Sequence, residues 1–306
     1  MNSLGNYYGT QFVMNISRPE VEVPNEYSLA QTWLGSGYNY KQLKLVYPGK
    51  YGDNTVRLFV YWTSDGYGPT GCYNADCSGF VQRSKRVTVG GSYCEVSQYD
   101  GAQHELPILV RKLYVNWSPF GNISEFLEEE PTSKTGIPST STLAELWEID
   151  HWTLPPARSE KQVKIYSFLL TMKITEAIDS YLWTGNWWLR VGGELVGYWP
   201  GSLFTSLKDK AEEVYWGGGI ANEMTGGRHT ATTMGSGHFA GEWYKKASYF
   251  RKVMTVDGAN TLREAENLHP TTDNDNCYSV KEGQSGSSYW GTHFFYGGPG
   301  RNAKCP

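Results

Sequence analysis

The chain has 306 residues, 27 Lys+Arg against 31 Asp+Glu, and a net charge of −4. That weakly acidic balance, without basic runs, excludes the Lys/Arg footprint that nucleic acid requires, and no stretch reaches the roughly 18 apolar residues of a membrane helix. A hydrophobic fraction of 39% excludes a largely disordered chain, while 15% aromatics and 35 glycines favour many short strands joined by tight turns.

The N-terminal MNSLGNYYGTQFVM shows no basic segment followed by an apolar one, so no signal peptide is visible. N-x-S/T sequons stand at Asn15, Asn116 and Asn122, a weak pointer to secretion. From Glu26 to Val110 the pattern predicts strands. Tyr27, Leu29 and Trp33 alternate with Glu26, Ser28, Ala30 and Thr32, and Gln31 is the polar exception on the apolar side. Leu58-Phe59-Val60-Tyr61-Trp62 reads as a strand covered on both faces. Pro48-Gly49, Gly52-Asp53-Asn54, Asp65-Gly66 and Gly90-Gly91 read as turns.

Of the five cysteines, Cys72 and Cys77 bracket a turn-like tetrapeptide, and Cys277 and Cys305 flank a Gly-rich C-terminal stretch. Two disulfides or reduced thiols both fit that spacing. Cys94 is left over and expected to be buried. Residues 111–183 change character, with Glu128-Glu129-Glu130, a Ser/Thr/Pro-rich stretch and Pro155-Pro156. Helical spacing is seen there at Leu143, Leu146 and Trp147 and from Phe168 to Ile178. This segment reads as an insertion, either a retained intron or a lid or partner-binding excursion. Strand-and-turn texture resumes at Gly185-Asn186-Trp187-Trp188, and a helical period in Leu203, Leu207, Ala211 and Val214 predicts one short helix near 203–215.

No nucleophile elbow, phosphate loop or H-E-x-x-H motif is present, and no C-x-x-C. His229 and His238 read as loop or core histidines rather than ligands. No metal and no cofactor are expected. Glu26, on the face away from Leu29 and Trp33, is the notable carboxylate, since a concave face would desolvate it.

The segments NEYSLAQTW (25–33), YPGKYGDNTVRLFVYWTSDGY (47–67), TGCYNADCSGFVQ (70–82), TGNWWLRVG (184–192), VGYWPGSLF (196–204), HTATTMGSGHF (229–239), KASYF (246–250) and YGGPGRNAKCP (296–306) resemble the neprosin family of plants. The resemblance covers most of 1–110 and 184–306. It implies an all-β fold, an antiparallel β-sandwich of two sheets, as a single domain interrupted by 111–183. It also implies the disulfides Cys72–Cys77 and Cys277–Cys305, entry into the secretory pathway, and an extracellular or vacuolar location.

The family's activity is that of a glutamic endopeptidase cutting after proline at acid pH, so the implied partner is a proline-containing peptide or protein. Two adjacent carboxyl groups share one proton; one activates water and the other donates. Glu26 matches the first family glutamate by position. The second falls at Gly219, in Trp216-Gly217-Gly218-Gly219, and glycine can neither hold nor donate a proton. Glu212, Glu213 and Glu223 lie nearby but off the motif. The stretch from Trp33 to Tyr47 is also several residues shorter than in the family. The resemblance therefore implies an impaired peptidase. The other reading is a non-catalytic extracellular binder of peptides or cell-wall polymers, with Tyr61, Trp62 and Trp216 as cleft contacts.

Overall fold

The computed structural model describes residues 1–37, 40–65, 69–113, 185–224, 226–284 and 287–306. Alternation along the strands builds two antiparallel sheets. The first runs β1 (Asn2–Tyr7), β11 (Ala211–Ile220), β3 (Ser28–Gly35), β4 (Tyr40–Val46), β5 (Arg57–Thr63) and β6 (Cys72–Tyr73) in spatial order. The second runs β14 (Ser279–Glu282), β15 (Phe294–Gly297), β12 (Ser248–Val256), β2 (Gly9–Asn15), β8 (Glu105–Lys112), β9 (Trp187–Val191), β10 (Glu194–Trp199) and β7 (Val81–Gln82), with β13 (Leu262–Glu264) paired to β12. The expected all-β, two-sheet architecture is present.

The two sheets share one core because each strand directs every second side chain to it. Ala30 and Leu34 of β3, Leu58, Val60 and Trp62 of β5, Val214 and Trp216 of β11, and Phe12 and Met14 of β2 all enter it. The opposite face of the first sheet carries a second cluster, in which Leu29, Phe59 and Tyr61 are joined by Tyr27, Trp33 and Tyr47. The run Leu58–Trp62 is thus covered on both sides, as its composition predicts. A helical turn, α1 (Pro48–Tyr51), starts at a proline and ends at Gly52, whose φ of 75° suits glycine.

Three expectations are corrected. The helical period over 203–215 resolves into a 3-10 turn at Gly201–Leu203 and the start of β11 at Ala211. Val214 and Trp216 are buried there by strand alternation, and their spacing from the loop residue Leu207 imitates a helix face. Cys94 is exposed rather than buried. The sequon at Asn15 is buried, its amide donating to Ser97 Oγ at 2.7 Å and Gln103 Oε1 at 3.2 Å, so it presents no acceptor to solvent.

Both disulfides are formed, Cys72–Cys77 and Cys277–Cys305. β8 pairs directly with β9, placing Arg111 opposite Trp188 and Lys112 opposite Trp187. Residues 114–184 between them, with the helical spacings at 143–147 and 168–178, lie outside the described residues.

Candidate functional site: a glycine-floored cleft and a buried glutamate

The position of each site residue follows from the register of β3 against β11. Gly219 sits opposite Leu29, Gly218 opposite Ala30 and Gly217 opposite Gln31. Opposed residues share a face, so Gly217 and Gly219 lie on the side of Leu29, Gln31 and Trp33, away from the shared core. A Cβ added at Gly219 would stand 2.9 Å from Gln31 Nε2 and 3.5 Å from Leu29 Cδ1.

A cleft of about 650 Å³ opens along this stretch of β11, walled by Gln31, Trp33, Tyr215, His229, Asp273 and Tyr278 and reaching Trp216, Met234 and Tyr296 on the core side. Its volume falls within the usual range for ligand sites, roughly 300–1,000 Å³. The glycines leave the backbone of β11 bare, so an extended chain can approach it closely. Glu213 and Asp273 are the carboxylates among the cleft's lining residues. The Tyr215 hydroxyl donates to Glu213 Oε2 at 3.1 Å.

Glu26 lies elsewhere. A turn closed by its own N–H to Val23 O, at 3.0 Å, brings it to the start of β3. Its side chain is fully buried and points, like Ser28, toward the segment 230–233. Oε2 accepts from the hydroxyls of Thr230, at 2.6 Å, and Thr232, and Oε1 accepts from the Glu223 N–H at 3.1 Å. Two threonine hydroxyls and one backbone N–H account for most of what a carboxylate can accept.

The segment is clamped from outside as well. Glu22 takes a two-pronged ion pair from Arg301, at 2.7 and 2.9 Å, and the Ala231 N–H at 2.5 Å. Thr230 Oγ1 is 3.3 Å from Glu22 and 2.6 Å from Glu26, and its single proton goes to the nearer oxygen. The Arg301 hydrogen bonds, followed by the Ala231 N–H, hold the Glu22 carboxyl down to a pKa of about 2. Tyr278 donates to Thr232 O at 2.8 Å, and burial followed by the Glu26 charge pushes its phenol well above the usual tyrosine range. Tyr278 therefore enters the cleft as a protonated hydroxyl.

The residues singled out from sequence are thus separated. Glu26 bonds Thr230 and Thr232, whereas the Gly219 position lies against Gln31 and Leu29. Tyr61 stands on the cleft side of its sheet but is covered by neighbours, 6.2 Å from the Trp33 ring and 4.8 Å from Tyr73. Trp62 is a core residue that packs edge-on to Phe204 and is not among the cleft's lining residues, whereas Trp216, buried and with its Nε1 donating to Thr10 Oγ1 at 3.0 Å, borders the cleft from the core side. Both have the even parity that points inward.

Gln31, Trp33, Tyr215, Asp273 and Tyr278 were not identified as a site from sequence. Gln31 gave one signal, as a polar residue on an otherwise apolar face. His229 and His238 both occupy loops. Among the described residues, ligand atoms of His229, Cys277 and Cys305 lie within 4.8 Å of one another. The two sulfurs are bonded to each other and offer no thiolate, so this trio does not fit a metal in the oxidised protein.

A family model for Neprosin matches residues 24–118 and 153–299. The matched stretches take in β3 and β11, the cleft they floor and both cysteines at 72 and 77, and they leave 119–152 between them. The chain belongs to the Neprosin family.

Proposed function

We propose that this chain is a secreted Neprosin-family domain that holds a proline-containing peptide in the β3/β11 cleft and turns it over weakly or not at all. One observation carries the reading: Glu26 is buried with its carboxylate bonded to Thr230, Thr232 and the Glu223 N–H, while position 219 at the cleft is a glycine whose nearest side chains are Gln31 and Leu29. A glycine supplies no second carboxyl group to share a proton with Glu26, so the acid–base pair of a glutamic peptidase is not assembled from these positions.

What remains suits binding. The bare backbone of Gly217–Gly219 admits an extended chain, and Trp33, Tyr215 and Tyr278 offer rings against which proline packs with little entropy loss. The two disulfides favour an oxidising compartment, consistent with an extracellular or vacuolar location.

Titration of tryptophan fluorescence with a proline-rich peptide tests the reading. Saturable binding that weakens at least about tenfold in Trp33→Ala, the loss of one well-packed aromatic contact, supports it. Binding absent from the wild type, or indifferent to Trp33, contradicts it. A residual peptidase reading draws on the cleft carboxylates Glu213 and Asp273. It predicts cleavage that survives Glu26→Gln and is lost in Asp273→Asn.

A further inference from the structure

The outer face of the second sheet carries most of the exposed aromatic surface among the described residues. Tyr99, Trp243, Tyr244 and Tyr289 are 53%, 43%, 42% and 47% exposed, values that set them apart from the buried rings elsewhere. They are contiguous. Trp243 stands edge-on to Phe295 at 5.3 Å, Tyr244 and Tyr289 flank Trp290 at 5.3 and 5.5 Å, and Tyr99 covers His238 at 4.3 Å. Beneath them, Tyr249 and Phe295 form a small buried cluster that fixes the base of the patch. Trp243 and Lys245 hold φ values of 64° and 68°, a conformation that L-residues rarely adopt, in the loop that presents these side chains. Contiguous exposed apolar area of this kind marks an interaction surface.

Charge selects the partner. Lys246 Nζ lies 5.6 Å from the Tyr99 ring and Lys281 Nζ 5.9 Å from Trp243. Neither lysine makes an ion pair with a carboxylate among the described residues. Glu105 and Glu242 are engaged with Arg251 and His238. We propose that this aromatic, lysine-flanked face binds an acidic polysaccharide. Its uronate rings stack on Trp243 and Tyr244, and their carboxylates meet Lys246 and Lys281.

Sugar rings present a C–H face that packs on aromatic rings. The surface is separate from the cleft, and its occupancy does not depend on the peptide reading.

Affinity electrophoresis of the full chain through gels containing polygalacturonate tests this, with the fully methyl-esterified polymer and poly(dT) as comparisons. The expected result is retardation by polygalacturonate that falls with added salt, and weaker retardation by the ester. The double variant W243A/Y244A, exposed enough to fold normally by circular dichroism, loses about tenfold in affinity. K246Q/K281Q loses the salt dependence and gives a second measurement should the aromatic variant misfold. No retardation by polygalacturonate overturns the proposal. So do equal retardation by the ester, binding unchanged in both double variants, and poly(dT) bound as tightly as the uronate polymer.

Discussion

Glu26 and Gly219 have different neighbours, although β11 pairs with the strand that Glu26 leads into. Gly219 pairs with Leu29 and lies against Gln31, whereas Glu26 joins Ser28 in bonding the segment 230–233. The Glu26 carboxylate anchors the loop that carries His229 and the hydroxyl partners of its own oxygens.

Removing that anchor is costly. Glu26→Ala leaves the Thr230 and Thr232 hydroxyls and the Glu223 N–H without their acceptor in a buried site. A loss of about 3 kcal/mol is expected from hydrogen bonds to a charged acceptor, read as a lower midpoint in thermal or denaturant unfolding. Glu26→Gln retains shape and part of the acceptor capacity, and loses less. Equal stability of Glu26→Ala and wild type would exclude the anchoring role.

The glycines differ in what they tolerate. A Cβ at Gly219 meets chiefly the end of Gln31, which can swing away, so Gly219→Ala costs under about 1 kcal/mol. At Gly298 the added carbon lies 2.2 Å from the Cys277 carbonyl oxygen, with φ at 159°, and backbone cannot move aside. Gly298→Ala is expected to cost about 3 kcal/mol or more. Comparing the two unfolding midpoints decides the point, and a Gly219→Ala protein less stable than Gly298→Ala contradicts it.

Acid weakens the outer clamp in a defined window. The Glu22 carboxyl is depressed from 4.5 to about 2 in the folded chain. Its contribution is complete above the unfolded value of 4.5 and is lost as pH falls through about 2. Glu22→Gln should therefore lower the melting temperature at neutral pH and flatten its decline over that window. Parallel profiles for the two proteins would remove Glu22 from the account.

The C-terminal bridge contributes through the unfolded state. Cys277 and Cys305 are 28 positions apart, and closing such a loop is worth about 3–4 kcal/mol on the chain-entropy model. The five-position loop of Cys72–Cys77 is worth about 2 kcal/mol on the same model. Cys277→Ser/Cys305→Ser should thus unfold at lower denaturant than Cys72→Ser/Cys77→Ser. The reverse order would show that strain or residual structure dominates.

The two-sheet fold was legible because burial leaves a period of two. The doubly covered run Leu58–Trp62 reports a sheet with packing on both sides, and the structure has clusters on both. The start of β11 was misread because Leu207 is buried from a loop and extends the strand's apolar residues into a false helical spacing. The alternation around Glu26 correctly gave its face, shared with Ser28 and Ala30. It could not tell that this face is closed by residues 230–233, some 200 positions away in the chain. The cleft was invisible for the same reason: Gln31, Tyr215 and Tyr278 come from three distant segments that only the register of β3 with β11 and the course of the C-terminal loops bring together.

The most direct test is cleavage of a proline-containing peptide across acid pH by wild type, Glu26→Gln and Gly219→Glu, followed by mass spectrometry. The account predicts little or no product from the wild type, because residue 219 supplies no carboxyl group to share a proton with Glu26. Efficient post-proline cleavage by the wild type, abolished in a folded Glu26→Gln protein, would contradict it.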